Sequence, residues 1–450
     1  MLTLGSNSNL MIGRVTVVAL LMSAIGCKAP QSMVKSVSTD SARVESAPVV
    51  PPIIRHGKTD KFMEELLAAY PQYFKEIMEQ RNAFKVQVIY TQIDRKKDNS
   101  PTFTSHYFNV DDQAYFYPAS TVKMPIAILS LEKLNQLKVA GVDRNSAMIT
   151  DTSFSGQTSV YNDPTSPDGK PSVAHYAKKI FLVSDNDAYN RLYEFLGQEG
   201  INRSLQSKGL KHSAIHHRLE LALTEEENRQ TNPIRFFGDT GQLVYEQPAQ
   251  RSNEKFRHRH DSIGLAHYRK GQLINRPLDC SAKNKFPLDE LTAVLKAVMF
   301  PDAVTAGHRF NLTESDIQFL WQYMSQLPSE TKYPSYDSTL YWDAYVKFLL
   351  WGAEKGKLPD HIRIFNKVGD GYGFLTDVAY VVDFRNNIEF MLSATIYCNS
   401  DGVVNDDHYD YETVGFPFMK HLGEVIYQHE LKRPRAVVPD LSRYQMNYDK

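Results

Sequence analysis

The chain has 450 residues, with 51 Lys and Arg against 52 Asp and Glu and a formal net charge of -1. That balance gives no global field for holding a polyanion and argues against nucleic-acid binding. Apolar residues at 42% and aromatics at 11% suit a large folded core, and the three cysteines, Cys27, Cys280 and Cys398, form no ligand-spaced cluster, which argues against a disulfide scaffold or structural zinc.

The stretch MIGRVTVVALLMSAIGC places Arg14 before an apolar run, then small residues, then Cys27. A positive end, a short apolar core and small residues at a cleavage point describe an export signal, too short to span a bilayer. Its end resembles the lipobox of bacterial lipoproteins, which implies a signal peptide over 1–26, lipid attachment at Cys27 and a membrane surface as partner. Lys28 follows where an Asp would mark retention, so the expected location is the outer membrane, facing the periplasm. Residues 27–58, rich in Ser, Val and Pro, read as a flexible tether.

A folded unit is expected over 59–450. Phe62, Leu66, Leu67, Tyr70 and Phe74 fall at helical spacing, and KVQVIYTQI at 86–94 alternates like a strand, with 102–111 as its hairpin neighbour. Helices are predicted over 120–137, 172–183, 187–197, 288–300, 313–327 and 340–356, Thr313 and Asp316 standing at capping-box spacing. Strands follow at 361–367, 374–384 and 388–398. The expected fold class is therefore α/β of the α+β type, with strands at both ends and helices between. An elaboration around 236–310 reads as an insertion that caps a cleft or offers a partner surface.

Candidate chemistry begins at YFYPASTVKMP, where Ser120 and Lys123 stand three apart at the start of an apolar helix and share one face. The positive end of the helix favours a developing alkoxide, and a buried lysine becomes a base by losing its proton. Pro125, which has no amide hydrogen, fits only where the helix has just begun. The tripeptide Ser184-Asp185-Asn186 falls in a short break between helices. There the Ser184 hydroxyl can relay a proton and Asn186 can hold a substrate carbonyl. KVGDGYG at 367–373 ends one strand: Lys367 supplies a cation, Gly369 lets the strand edge come close, and the amides of Asp370 and Ser120 form an oxyanion site. Taken singly, these segments also read as a helix cap, an ordinary turn and a plain hairpin.

Together and in this order, SxxK, SDN and K-x-G resemble the signature of class A β-lactamases and penicillin-binding proteins. The resemblance covers residues 62 to about 427 and implies a mostly helical subdomain packed beside a five-stranded antiparallel sheet, with the site in the cleft between. It implies Ser120 as nucleophile, Lys123 as buried base, Ser184 as relay, Asn186 and Lys367 as substrate holders, and no cofactor or metal. Arg218 and Glu220 sit at the spacing of the family's deacylation loop, so Glu220 is expected to activate water. Thr224 stands where Asn is expected, its hydroxyl able to do part of that work. Val368 replaces the Thr or Ser of K-T-G, and losing a hydrogen bond to a charged group costs roughly 1.5–3 kcal/mol. Ser184 and Lys367 are 183 positions apart, more than in the family, which motivates the insertion above. His258, His260, Asp261 and His267 lack the spacing of a metal motif.

The implied activity is acyl transfer through a Ser120 acyl-enzyme on an amide or ester, with a small molecule or cell-wall peptide as substrate. The alternatives are a D-alanyl peptidase or esterase of the same superfamily, and a non-catalytic lipoprotein that uses the cleft for binding. Nucleic acid is not expected as a partner, and the oligomeric state is not specified by the sequence.

Overall fold

The structure, a computed structural model, describes residues 57–154 and 158–449. The signal segment, Cys27 and nearly all of the tether lie outside the described residues.

Asp60 opens α1 (Lys61–Ala68) by accepting from the Met63 amide at 3.0 Å, and Pro71 occupies the first turn of α2 (Pro71–Glu79). The single apolar stripe expected from Phe62 to Phe74 is thus two helices, because proline starts a new helix where it cannot continue one. Strands β1 (Gln87–Arg95) and β2 (Pro101–Phe108) form a hairpin. The 3-10 turn Ala119–Val122 then leads into α3 (Lys123–Leu137), followed by α4 (Val173–Val183), α5 (Asn186–Leu196) and α6 (Gln198–Ser207). A short α7 (Glu225–Arg229) precedes α8 (Leu288–Met299) and α9 (Glu314–Ser325), the last opened by the expected capping box of Thr313 and Asp316. Strands β3 (Ile362–Gly371), β4 (Phe374–Asp383) and β5 (Ile388–Tyr397) and helix α10 (Phe416–Lys432) follow.

The five strands form one antiparallel sheet in the order β3-β4-β5-β1-β2. Strands β4 and β5 are buried along their whole length, as central strands covered on both faces must be. One face packs on α1, α2 and α10 through Met63, Phe74, Leu392, Phe418 and Leu422. The other packs on the helical subdomain through Val122, Ile126, Tyr189, Leu295, Trp321 and Tyr380. The chain therefore has the helical half beside a five-stranded sheet that its resemblance implies.

One expectation is corrected. The stretch 340–356 yields a single helical turn at Phe348–Trp351, with Leu349 extended and Leu350 at φ 74. The amides of Phe348 and Leu349 donate to the buried Asp377 carboxylate on β4 at 3.1 and 3.0 Å, so a tertiary acceptor replaces the helical carbonyls. The stretch 236–310 contains the helix expected over 288–300, present as α8 (Leu288–Met299). Hairpins and short strands fill 243–279, but α8 belongs to the core, where Thr292 donates or accepts at 2.8 Å with Ser393 of β5.

Candidate active site

Ser120 stands in the 3-10 turn just before α3, preceded by Ala119 at φ 45. A left-handed alanine is a strained elbow, and it presents Ser120 half-buried while its neighbours are sequestered. Thr121 anchors the turn, its amide and hydroxyl donating to the Pro118 carbonyl at 3.0 and 2.6 Å. Among the described residues the Ser120 amide has no acceptor, which leaves a donor at the positive end of the helix.

Lys123, one turn on, is 0% exposed. Its ammonium donates to the Ser184 carbonyl and, at 3.2 Å, to the Ser184 hydroxyl. Burial brings its pKa down to about 7 against the opposing pull of Asp185, Asp370 and Glu220, since desolvation disfavours the charged form.

Ser184 caps α4 in the left-handed region at φ 59, and Asp185 opens α5 by accepting from the Ala188 amide at 2.7 Å. The break between two helices is what turns Ser184 toward Lys123. From the sheet, Lys367 of β3 reaches the same hydroxyl at 2.9 Å. Its ammonium, 2% exposed, is pushed well below the usual lysine range by burial and by the neighbouring Lys123.

Gly369 explains how the strand approaches. A Cβ there would sit 2.7 Å from the Pro118 carbonyl oxygen and 2.9 Å from the Ser120 nitrogen, distances only glycine permits. Next to it, Asp370 ends the strand in the cleft; it keeps an exposed surface, yet the cleft walls desolvate its carboxyl and raise its pKa, opposed by Lys367 and Lys123. Val368, 2% exposed, alternates to the opposite face and joins the core beneath α10, so no hydroxyl enters the cleft from this position.

Glu220 is exposed, at φ 57, and lines a cavity of about 230 Å³ with Asn186 and Asn190. Its loop is fixed from below. Arg218 is buried and ion-paired with Glu194, its Nε donating at 2.5 Å, and also donates to the Gln230 carbonyl at 2.6 Å. Asn190 of α5 clamps Leu219 through both its backbone groups at 2.9 Å. Thr224 is not part of this arrangement: it caps α7 in a capping box with Glu227, hydroxyl to carboxylate at 2.7 Å, and faces solvent. The expected share of Thr224 in holding a water is therefore corrected, because the helix start occupies its hydroxyl.

Other wall residues escaped the sequence. Asn190 was hidden in an amphipathic helix, although its place one turn after Asn186 put it on the same face. Tyr345 lies near Asp370 and Glu220, its hydroxyl raised by burial and by Tyr341 and these charges; the expected helix over 340–356 concealed it. Tyr117, Tyr372 and Lys283 pack together beside the end of β3, with the two ring centroids 4.6 Å apart and Lys283 Nζ 3.4 Å from the Tyr372 hydroxyl. His267 is used structurally, Nδ1 at 2.9 Å from the Arg276 carbonyl, and among the described residues no group of three or more His, Cys, Asp or Glu is arranged to hold a metal ion.

Residues 70–250 match the model of the beta-lactamase enzyme family. That span includes Ser120, Lys123, Ser184, Asn186 and Glu220 and ends before Lys367. No curated protein matches the sequence. Among solved structures, a beta lactamase from Xanthomonas campestris pv. campestris is similar at 15% identity and a TM-score of 0.43, over 80% of this chain and 98% of that one. A beta-lactamase from Chitinophaga pinensis stands at 12% and 0.44, over 82% and 99%. PBP-A stands at 14% and 0.43, over 83% and 98%.

Proposed function

We propose that this chain, a beta-lactamase-like serine hydrolase, acts through a Ser120 acyl-enzyme formed from a cyclic or linear amide, with β-lactams as the first substrate class to test. The observation that carries this reading is the Ser184 hydroxyl, 3.2 Å from Lys123 Nζ and 2.9 Å from Lys367 Nζ, beside the turn that holds Ser120.

Neutral Lys123 takes the Ser120 proton as Oγ bonds to the carbonyl carbon. The Ser120 and Asp370 amides hold the oxyanion. Collapse breaks the carbon–nitrogen bond, and the proton on Lys123 passes through Ser184 to the leaving nitrogen. A water then attacks the ester carbonyl carbon, giving a proton to the Glu220 carboxylate; as the bond from carbon to Ser120 Oγ breaks, Glu220 returns that proton to Oγ, and the product leaves as the acid. Asn186, facing the same cavity as Glu220, is placed to hold the acyl side chain, and Lys367 supports an anionic group of the substrate. With Val368 in the core and Thr224 in a helix cap, neither position supplies its expected partner to the substrate carboxylate or to the water, so hydrolysis is slow and the adduct long-lived.

Incubation with a fluorescent β-lactam, followed by intact-mass analysis, tests this: a single adduct on wild type that is lost in Ser120→Ala supports it, and no adduct across pH 5 to 9 overturns it. The lipoprotein reading is also a proposal. Acylation at Cys27 would hold the enzyme to the outer membrane, and fatty-acid labelling that vanishes in Cys27→Ser is its check.

A further inference from the structure

A second cavity, of about 280 Å³, opens between the 211–216 segment, the 254–261 loop and Lys285. Ser120, Lys123, Ser184 and Lys367 do not line it. Five lysine and arginine residues line it against two carboxylates, Glu254 and Asp261, although the whole chain is nearly neutral at -1.

Two of its side chains lack hydrogen-bond partners, and the ring nitrogens of His216 are buried. Lys285 is 8% exposed, and among the described residues its ammonium meets no acceptor; only its backbone is engaged, bridging Ala214. His216 is 5% exposed, and neither ring nitrogen has a hydrogen-bond partner, although the ring packs on Phe256 at 3.8 Å between centroids. Burying an imidazole with both nitrogens unpaired is costly unless something pairs it, and Lys285 beside it is a cation without a bonded acceptor among the described residues, although Asp261, Asp112 and Glu290 pull on it from a distance. Arg259 adds a third donor: its Nε and Nη2 are held by the carbonyls of Ser281, Cys280 and Lys283, while Nη1 is buried with only Asp261 at 3.4 Å.

The residues that carry these donors come from three separate segments and line one cavity. Such an excess of fixed donors repels metal cations and complements an oxyanion that accepts from several directions at once. We propose that this cavity binds a phosphate-class dianion, either free or as the phosphoryl group of a small monoester, with Lys285, Arg259 and His216 as its inner donors and Arg257 at its exposed rim.

Calorimetric titration of the folded chain with inorganic phosphate, at ionic strength fixed with sodium chloride, tests the assignment. Wild type is expected to give one saturable site. Lys285→Met is expected to weaken it at least about 10-fold, the loss of one charge-assisted hydrogen bond, and the exposed-rim variant Arg257→Gln about 3-fold or more. Lys367→Met, whose ammonium lies in the catalytic cleft, should bind phosphate as wild type does. Glycerol 3-phosphate binding more tightly than phosphate identifies a monoester as the ligand, and weaker binding identifies the free ion. Absence of saturable binding in wild type, or a loss caused by Lys367→Met and not by Arg257→Gln, overturns the proposal even where Lys285→Met fails to fold.

Discussion

Lys123 is fully buried, and among the described residues its ammonium hydrogen-bonds only to the carbonyl and hydroxyl of Ser184, so neutral oxygens replace only part of the hydration it lost and no carboxylate lies at bonding distance. With the pKa brought to about 7, the proton-accepting form accumulates as pH rises through neutrality. The rate of Ser120 acylation is therefore predicted to rise from pH 6 to 8 and then level off, measured as the second-order rate of labelling by a fluorescent β-lactam; a rate that falls over this range contradicts the assignment. The same shift bears on stability. The unfolded chain keeps this proton up to the ordinary value of 10.5, the folded chain releases it near 7, and the contribution of this group to stability grows with pH across that window. Lys123→Met should abolish acylation yet raise stability at pH 7 by about 0.5–2 kcal/mol in urea denaturation. Glu220→Gln is predicted to leave acylation largely intact and slow release of the adduct by about 10²- to 10⁴-fold, read from the decay of the adduct mass. At this scale the motif residues were legible because their types and order carry chemistry. Thr224 was misread because a hydroxyl's partner depends on whether a helix starts beneath it.

Helices α4 and α5 place Ser184 by ending and restarting the chain within two residues; the Ser-Asp-Asn break was legible in the sequence, while the left-handed conformation of Ser184 was not. The 218–220 loop is held differently, from inside the helical layer. Arg218 and Glu194 are each 1% exposed at the side chain, and removing one leaves the other buried and unpaired. Arg218→Met is predicted to destabilise by about 3–5 kcal/mol in urea unfolding and to slow deacylation more than acylation, because Glu220 loses its footing. A variant with wild-type stability would contradict this. The spacing of Arg218 and Glu220 was readable in the sequence, but Glu194, on α5, was not: nothing local marks which buried acid an arginine will meet. The failed helix over 340–356 has the same origin, since its spacing is helical while Asp377 competes for its amides.

On the scale of the molecule, the sheet separates two cores, and the alternation along β3 decides which residue faces which. Lys367 enters the catalytic cleft and Val368 the layer under α10. The strand pattern and the order of strands and helices made the two-part architecture legible. The role of Tyr444 near the C-terminal end was not, because the aromatic rings it packs against are distant in sequence. Tyr444 is fully buried, donates to the Met299 carbonyl at 3.2 Å, and packs edge-on against Phe300, Phe365 and Tyr380 and tilted against Trp321. It thereby ties α8, α9 and the sheet together. Tyr444→Ala is expected to cost about 3–5 kcal/mol, seen as a lower urea midpoint with far-UV structure retained before the transition.

All of these effects converge on one hydroxyl held beside two buried lysines. The most direct test is intact-mass analysis of the folded protein after exposure to a β-lactam, with peptide mapping of the modified site. The account predicts one covalent adduct, on Ser120, formed by wild type and by Glu220→Gln and absent from Ser120→Ala and Lys123→Met. Modification at another residue, or an adduct that persists in Ser120→Ala, would contradict it.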